Sequence, residues 1–134
     1  MGQQRFINIH THHNPYDKQE VTAIRNVHAS DPLPDNNSLF SSGLHPWKIK
    51  EGHIVEKLAH LNILAKQQQI AAIGECGLDK AIDTPFEIQL QIFEKQIELS
   101  ETCKLPLIIH CVRAYSEILA LRKKHPEGCW IIHG

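Results

Sequence analysis

The sequence predicts an α/β fold in which parallel β-strands alternate with helices, and three observations support this prediction. Short apolar runs of strand length recur along the chain, each bounded by turn-forming residues. Most of these runs are continuously apolar, as is typical of parallel strands that are covered on both faces. Segments with helical spacing of apolar residues separate the later runs. The strands are predicted at residues 6–10, 20–29, 39–43, 70–73, 105–109 and 130–132, and the helices at 53–68, 84–103 and 115–124.

The helix predicted at 84–103 has the clearest pattern. It opens on Thr84-Pro85-Phe86-Glu87, which matches a capping box with proline at the first helical position, where the missing N–H is tolerated. Its apolar residues then recur on one face, which we expect to be buried. They are Phe86, Leu90, Phe93 and Ile97.

The length of the chain limits the architecture. A chain of 134 residues, 42% hydrophobic and 22% charged, suits one globular domain, so we expect residues 1–134 to form a single domain. A closed barrel of eight β/α units usually needs about 250 residues. The six strands therefore predict either an open sheet or the first part of a barrel, and the stop directly after a strand favours a barrel truncated after about six strands. The unpaired edges of such a sheet predict self-association.

Composition excludes several classes of protein. A formal net charge of −1 provides no basic field for coating long nucleic acids, which argues against a passive polynucleotide-binding module. The four cysteines form no C-x-x-C pair, which argues against a zinc ribbon or a thioredoxin-like protein. The sequence shows neither a signal peptide nor a run of roughly 18 apolar residues. We therefore expect reduced thiols and a cytoplasmic location.

Four of the predicted strands end on residue types that bind metals. His10 and His12 point to the same side, because side chains alternate across an extended segment. Glu75, His110 and His133 follow three later strands. The carboxyl ends of parallel strands converge at one edge of a sheet or barrel. We therefore predict a shared metal site formed by His10, His12, Glu75, His110 and His133.

This ligand set predicts hydrolytic chemistry. Imidazole and carboxylate ligands suit divalent zinc, manganese, nickel or magnesium. Glu75 is the one carboxylate in the set, and its two oxygens can bridge two ions about 3.5–4 Å apart. Such a centre activates water and stabilises charge on a phosphoryl or acyl oxygen. The bond that is cleaved can therefore belong to a phosphodiester, a phosphomonoester or an amide.

Two further residues near the strand ends are candidates for binding substrate. Arg113 lies three residues after His110, where its guanidinium can hold a phosphate or form a salt bridge at the rim. His45 follows the third strand and is predicted either to face the substrate or to belong to a turn.

Other polar residues are predicted to have structural roles. We expect Asp79 to fix the following loop through backbone hydrogen bonds. Gln89 and Gln96 lie seven residues apart on one helical face, and we expect their role to be structural and not catalytic. Cys76 and Cys111 are predicted to be small core residues. Solvent-facing positions are predicted for His28, His53, His60 and His125.

Several motifs, taken in their order, resemble those of TatD-type metal-dependent hydrolases. They are Phe6-Ile-Asn-Ile-His-Thr-His-His13, Gly43-Leu-His-Pro46, Ile73-Gly-Glu-Cys-Gly-Leu-Asp79, Gln89-x-x-x-Phe93-x-x-Gln96, Leu105-Pro-Leu-Ile-Ile-His-Cys-Val-Arg113 and Ile132-His-Gly134. The resemblance covers almost the whole chain. It implies a TIM (β/α)8 barrel and a divalent-metal-dependent hydrolase, commonly a deoxyribonuclease that cleaves DNA.

The resemblance also implies how two divalent ions are held. His10 and His12 bind one ion, His110 and His133 bind the other, and Glu75 lies between them. Glu75 and the nearby Arg113 are then the candidate catalytic residues.

Two positions depart from the pattern of the family. Asn8 stands where the family usually has aspartate, and the family's catalytic aspartate would lie beyond residue 134. We therefore expect residues 1–134 to carry most of the metal site without a working catalyst. Two alternatives stay open: a phosphoesterase of the polymerase-and-histidinol-phosphatase type acting on small phosphate esters, and a non-catalytic metal-binding protein.

Overall fold

The computed structural model describes residues 5–15 and 20–133. In this part of the chain, six strands form one parallel sheet whose spatial order follows the order of the chain. The strands are β1 (Phe6–Thr11), β2 (Val21–His28), β3 (Leu39–Gly43), β4 (Ala72–Asp79), β5 (Leu107–Val112) and β6 (Trp130–His133). The helices are α1 (Ile54–Lys66), α2 (Phe86–Cys103) and α3 (Tyr115–Lys124), and a 3-10 helix (Pro46–Glu51) precedes α1. None of the described helices has the length and apolar character needed to cross a membrane.

The sheet curls into a partial barrel, which confirms the predicted TIM-type fold. The rings of His10, near the end of β1, and His133, at the end of β6, lie with their centroids 4.2 Å apart. Within the described residues, β1 pairs with β2 alone and β6 pairs with β5 alone. The carboxyl ends of the strands therefore meet around one opening, although the first and last strands are not hydrogen-bonded to each other.

The core is built around β4. Every residue of β4 is buried, because β3 and β5 flank it and α2 packs across it. Phe93 and Ile97 of α2 are fully buried in this core, as the helical spacing predicted. Cys76 and Cys111 are buried members of the same cluster, which confirms their predicted role.

The predicted end of β4 was wrong. The strand runs on to Asp79, so Glu75 lies inside it and not after it. Glycine pairs often indicate a turn, but Gly74 and Gly77 let β4 pass close to β5, since a Cβ at these positions would lie 2.4 and 2.1 Å from β5 carbonyl oxygens. The pairing of β4 with β5 is irregular between residues 73 and 76, and such irregularities redirect side chains. The interrupted stretch therefore presents Glu75 at the opening.

The start of α2 also differs from the prediction. The helix begins at Phe86 with Pro85 at the N-cap position, and no side chain caps it. The predicted capping box is absent because Thr84 lies one residue too early to cap the first turn. Its carbonyl oxygen instead accepts a hydrogen bond from Gln89 Nε2 at 2.9 Å.

Candidate metal centre

Glu75 stands in the middle of a cluster of histidines at the opening of the partial barrel. Its Oε2 lies 3.2 Å from His10 Nε2 and 4.0 Å from His12 Nε2. Its Oε1 lies 3.3 Å from His110 Nδ1 and 3.8 Å from His45 Nε2. Each carboxylate oxygen therefore faces its own pair of imidazoles.

His133 joins this cluster beside His10. Candidate ligand atoms of His10, Glu75 and His133 lie within 4.8 Å of one another, and those of His45, Glu75 and His110 form a second such set. All the predicted ligands thus lie around one opening. Their grouping differs from the one that the family resemblance implied, because the curled sheet brings the end of β6 next to β1 and so places His133 with His10.

The atoms of the cluster fit a bound cation. The side chain of His10 is only 3% exposed and its Nδ1 is buried without a hydrogen-bond partner, while Nε2 lies 3.2 Å from Glu75 Oε2 without the geometry of a hydrogen bond. A buried polar atom without a partner costs about 1–3 kcal/mol. His110 Nδ1 also faces a Glu75 oxygen, and two acceptors in this position need a proton or a metal ion between them. Imidazole and carboxylate groups are the ligands that zinc and similar divalent ions bind in proteins.

Asp79 orients His110 and the indole ring of Trp47. Its Oδ2 accepts hydrogen bonds from His110 Nε2 at 3.0 Å and from Trp47 Nε1 at 2.7 Å. Carboxylates in this position fix the tautomer of metal-binding histidines. The predicted backbone role is confirmed as well, since Asp79 Oδ1 accepts from the N–H of Ala81 at 2.8 Å. The contacts with His110 and Trp47 were not predicted, because they join residues 31 and 32 positions apart.

Two buried glutamines of α2 hold the backbone next to the site. Gln89 accepts from the N–H of Asp79 at 2.8 Å and donates to its carbonyl oxygen at 3.0 Å. Gln96 accepts from the N–H of Leu44 at 2.8 Å and donates to its carbonyl oxygen at 3.2 Å. These contacts confirm the predicted structural roles. They position Asp79 and, one residue after Leu44, His45.

The cluster also sets the charges of its members. Burial raises the pKa of Glu75, but the contacts with His10 and His110 outweigh burial and hold this pKa well below its usual range. Burial and the neighbouring His110 lower the pKa of His45 to about 4. The contact with Glu75 raises the pKa of His110. At neutral pH, Glu75 is therefore ionised and His45 is a neutral imidazole.

His45 is held as a hydrogen-bond donor toward the cluster. Its Nδ1 accepts from the backbone N–H of Trp47 at 3.1 Å, so Nε2 carries the proton in the neutral ring. Nε2 is the nitrogen that points to Glu75. In this tautomer, Nε2 can donate a hydrogen bond to a substrate oxygen but has no lone pair available for a metal ion.

Arg113 and Asn8 lie at the edge of the site. Arg113 is exposed directly after β5, with a left-handed φ of 53°, and does not line the cleft beside the cluster. Asn8 Oδ1 accepts a hydrogen bond from the N–H of His10 at 3.2 Å. The amide that replaces the usual aspartate therefore contacts the backbone of a candidate ligand.

Three histidines that were predicted to face solvent make contacts within the protein. His28 bonds a serine hydroxyl at 2.7 Å and lines the cleft beside the cluster. His60 donates to a backbone carbonyl oxygen at 2.7 Å, and His125 lies between two glutamates of α2. His53 is exposed, as predicted. The three contacts depend on the approach of distant or looped segments, which local patterns do not reveal.

Comparison with known proteins finds a matching family and several relatives. The family described as TatD related DNase matches residues 3–134. The protein "3'-5' ssDNA/RNA exonuclease TatD" of Cronobacter sakazakii is 39% identical over 83 residues, which cover 60% of this chain and 31% of that protein. "Uncharacterized metal-dependent hydrolase YabD" of Bacillus subtilis is 36% identical over 80 residues, with coverage of 59% and 31%.

A solved structure shares the fold. The crystal structure of YJJV, a TatD homolog from Escherichia coli K12, matches with a TM-score of 0.72 at 25% identity and covers 90% of this chain and 56% of that chain. The matched region spans 31% of each of the two curated relatives. Because the family match extends over almost the whole sequence, the chain belongs to the TatD related DNase family.

Proposed function

We propose that the protein is a divalent-metal-dependent hydrolase that cleaves phosphodiester bonds in DNA. The observation that carries this proposal is Glu75, one carboxylate whose two oxygens each face imidazoles, as a ligand shared by two ions requires. Membership of the TatD related DNase family supports the hydrolase class and favours it over the polymerase-and-histidinol-phosphatase alternative. The name of the Cronobacter relative, a 3'-5' ssDNA/RNA exonuclease, supports a nucleic-acid substrate.

The proposed ligands follow the geometry of the cluster. His10, His12 and His133 would hold one ion together with Oε2 of Glu75, and His110 would hold a second together with Oε1. Bound ions supply Lewis acidity, which polarises a phosphoryl oxygen and lowers the pKa of water. The imidazole-rich set favours zinc, manganese or nickel over magnesium, which prefers oxygen ligands.

The protein's own side chains would hold the substrate and set the charge of the site. Glu75 brings the negative charge that retains two cations, and Asp79 keeps His110 in one tautomer. His45 would donate its Nε2–H to a non-bridging phosphate oxygen, since its other nitrogen is occupied by a backbone N–H. Arg113 is exposed beyond the end of β5 and outside the cleft beside the cluster, so its guanidinium would bind a more distant phosphate of the strand and not the scissile one.

Nuclease activity of the complete encoded protein tests the proposal. We expect His110→Ala to lower hydrolysis of a single-stranded oligodeoxynucleotide by more than about 100-fold. Replacing a residue that only supports a metal ligand lowers activity by about 10- to 100-fold, and removing the ligand itself should lower it further. His53→Ala is the matched control, since it removes an exposed histidine outside the cleft. Undiminished activity of His110→Ala would refute the proposed site.

Two other outcomes would favour the alternatives. Metal binding without turnover of any phosphate ester would indicate a non-catalytic metal-binding protein. Small phosphomonoesters that are hydrolysed much faster than DNA would indicate a phosphoesterase.

We also propose that the protein self-associates through its sheet edges and acts in the cytoplasm. Phe6 and Ile7 of the edge strand β1 are 64% and 72% exposed, which favours association. All four cysteines are free thiols, as a reducing compartment maintains them. Light scattering coupled to size-exclusion chromatography tests the first point, and a monomer at all concentrations would contradict it.

A further inference from the structure

Trp47 is a large aromatic side chain that stays exposed beside the metal cluster. It is 54% exposed, although its indole Nε1–H donates to the buried carboxylate of Asp79 at 2.7 Å. A tryptophan that serves packing alone is normally largely buried. Here the hydrogen bond fixes one edge of the ring, and much of the ring surface faces solvent.

The indole ring stands directly against the cluster. Its centroid lies 5.3 Å from that of His45 at an interplanar angle of 79°, and 5.9 Å from that of His110 at 76°. Trp47 lines the cleft that contains Glu75, and it also lines a neighbouring depression with Lys50 and residues 81–84. The ring therefore separates the cluster from the adjoining surface.

The same cleft carries basic side chains. Arg25 and Lys48 line it, and Lys48 also pairs with Glu51 at 2.8 Å. Burial lowers the pKa of His28, so this imidazole adds no charge at neutral pH. Asp31 and Glu75 line the same cleft and offset the two cations. Proteins hold single-stranded nucleic acids by combining cationic groups, which contact phosphates, with exposed aromatic rings, on which bases stack. An occupant that matches this surface has both a phosphate and a flat ring.

We propose that Trp47 is a stacking platform for an unpaired nucleobase next to the scissile phosphodiester. The inference rests on the proposed function and adds to it the residue that would hold one unpaired base. A base within a duplex is stacked on both sides and must leave the helix before it can cover the indole ring. Because the bond to Asp79 already fixes the ring, little side-chain freedom is lost when a base binds.

Two substitutions separate stacking from the hydrogen bond. Trp47→Phe and Trp47→Leu both lose the indole N–H and its bond to Asp79, but only phenylalanine keeps an aromatic face. Fluorescence anisotropy of the complete encoded protein would measure the binding of three labelled probes: single-stranded oligothymidylate, an abasic strand of the same length, and a duplex. Trp130→Phe is the control, because Trp130 starts β6 at the end opposite to His133 and packs against Phe93.

We expect Trp47→Leu to bind oligothymidylate about 5- to 150-fold more weakly than Trp47→Phe, which is the range that stacking of one base supplies. The abasic strand should bind both variants equally. Oligothymidylate should quench the tryptophan fluorescence of Trp130→Phe, and the quenching should be weaker in Trp47→Phe. Equal oligothymidylate affinities of Trp47→Leu and Trp47→Phe would overturn the inference, as would binding that leaves the Trp47 fluorescence unchanged.

Hydrolysis of bis(p-nitrophenyl) phosphate by the unmodified protein reports on the proposed function separately. Hydrolysis combined with equal affinities of the two Trp47 variants would reject the stacking platform and leave the hydrolase proposal intact. The opposite result is also informative. Fluorescence quenching and a difference in oligothymidylate affinity between Trp47→Phe and Trp47→Leu, without hydrolysis of any phosphodiester, would support the stacking platform and reject only the proposed reaction.

Discussion

Replacing Asp79 by asparagine should weaken metal binding at His110 without removing a metal ligand. Asp79 is 2% exposed, and its Oδ2 accepts hydrogen bonds from His110 Nε2 at 3.0 Å and Trp47 Nε1 at 2.7 Å. Asparagine keeps the shape but loses the charge that makes the imidazole a stronger ligand. Losing such a carboxylate usually costs 10- to 100-fold in metal affinity, or about 1.4–2.7 kcal/mol.

The substitution should also destabilise the fold by a separate amount. Asp79 uses both oxygens, since Oδ1 accepts from the N–H of Ala81 at 2.8 Å. The side-chain amide of asparagine has one oxygen, so at least one of these part-buried donors would face an NH2 group. A fully buried donor without a partner costs about 1–3 kcal/mol, so we expect a loss near the lower end of this range in the free energy of unfolding in urea.

Calorimetric titration with zinc separates the two effects. Asp83→Asn is the matched control, because Asp83 is exposed in the loop after β4 and the change in charge is the same. We expect a 10- to 100-fold difference in zinc affinity between the two variants. Affinities that agree within about twofold would refute the reasoning that Asp79 tunes His110.

Three further predictions follow from the fold and the site. Gln96→Leu should lower the free energy of unfolding by about 2–5 kcal/mol, because two buried backbone groups lose their partner; Gln91→Leu, on the exposed side of α2, should change it by less than about 0.5 kcal/mol in the same urea titration. Gly77→Ala should lower the melting temperature more than Gly128→Ala. Both glycines have positive φ, but only a Cβ at Gly77 would clash, at 2.1 Å from the His110 carbonyl oxygen. Equal decreases in melting temperature would contradict this. Chelating bound metal should lower the melting temperature by an amount that grows with the metal concentration of the untreated sample, with about 2.7 kcal/mol of stabilisation expected at 100 times the dissociation constant; an unchanged melting temperature would contradict a metal site.

Much of the fold could be predicted because strands and helices leave local patterns. The apolar stripe of α2 and the continuous apolar run of β5 can be recognised within a few residues. The end of β4 could not be predicted, because the role of Gly74 and Gly77 depends on their contacts with Ile108 and His110 of β5, which lie 34 and 33 positions further along the chain. Local sequence alone makes these glycines look like a turn.

The residues of the candidate site could also be predicted from the sequence, but not their grouping. His10, Glu75, His110 and His133 could be brought together in advance, because the carboxyl ends of parallel strands converge. Their grouping could not, since it depends on how strongly the sheet curls. The contact of Trp47 with Asp79 was also beyond sequence reasoning, because it needs the exact approach of a 3-10 helix to the end of β4.

The zinc affinities of the Glu75→Gln variant test the central claim most directly. If Glu75 is shared by two ions, its replacement should weaken the binding of both, whereas His110→Ala should weaken the binding of only one. Calorimetric titration should then find two zinc ions per chain in the unmodified protein, two weakened affinities in Glu75→Gln and one in His110→Ala. A Glu75→Gln protein in which either ion binds with unchanged affinity would contradict a shared carboxylate.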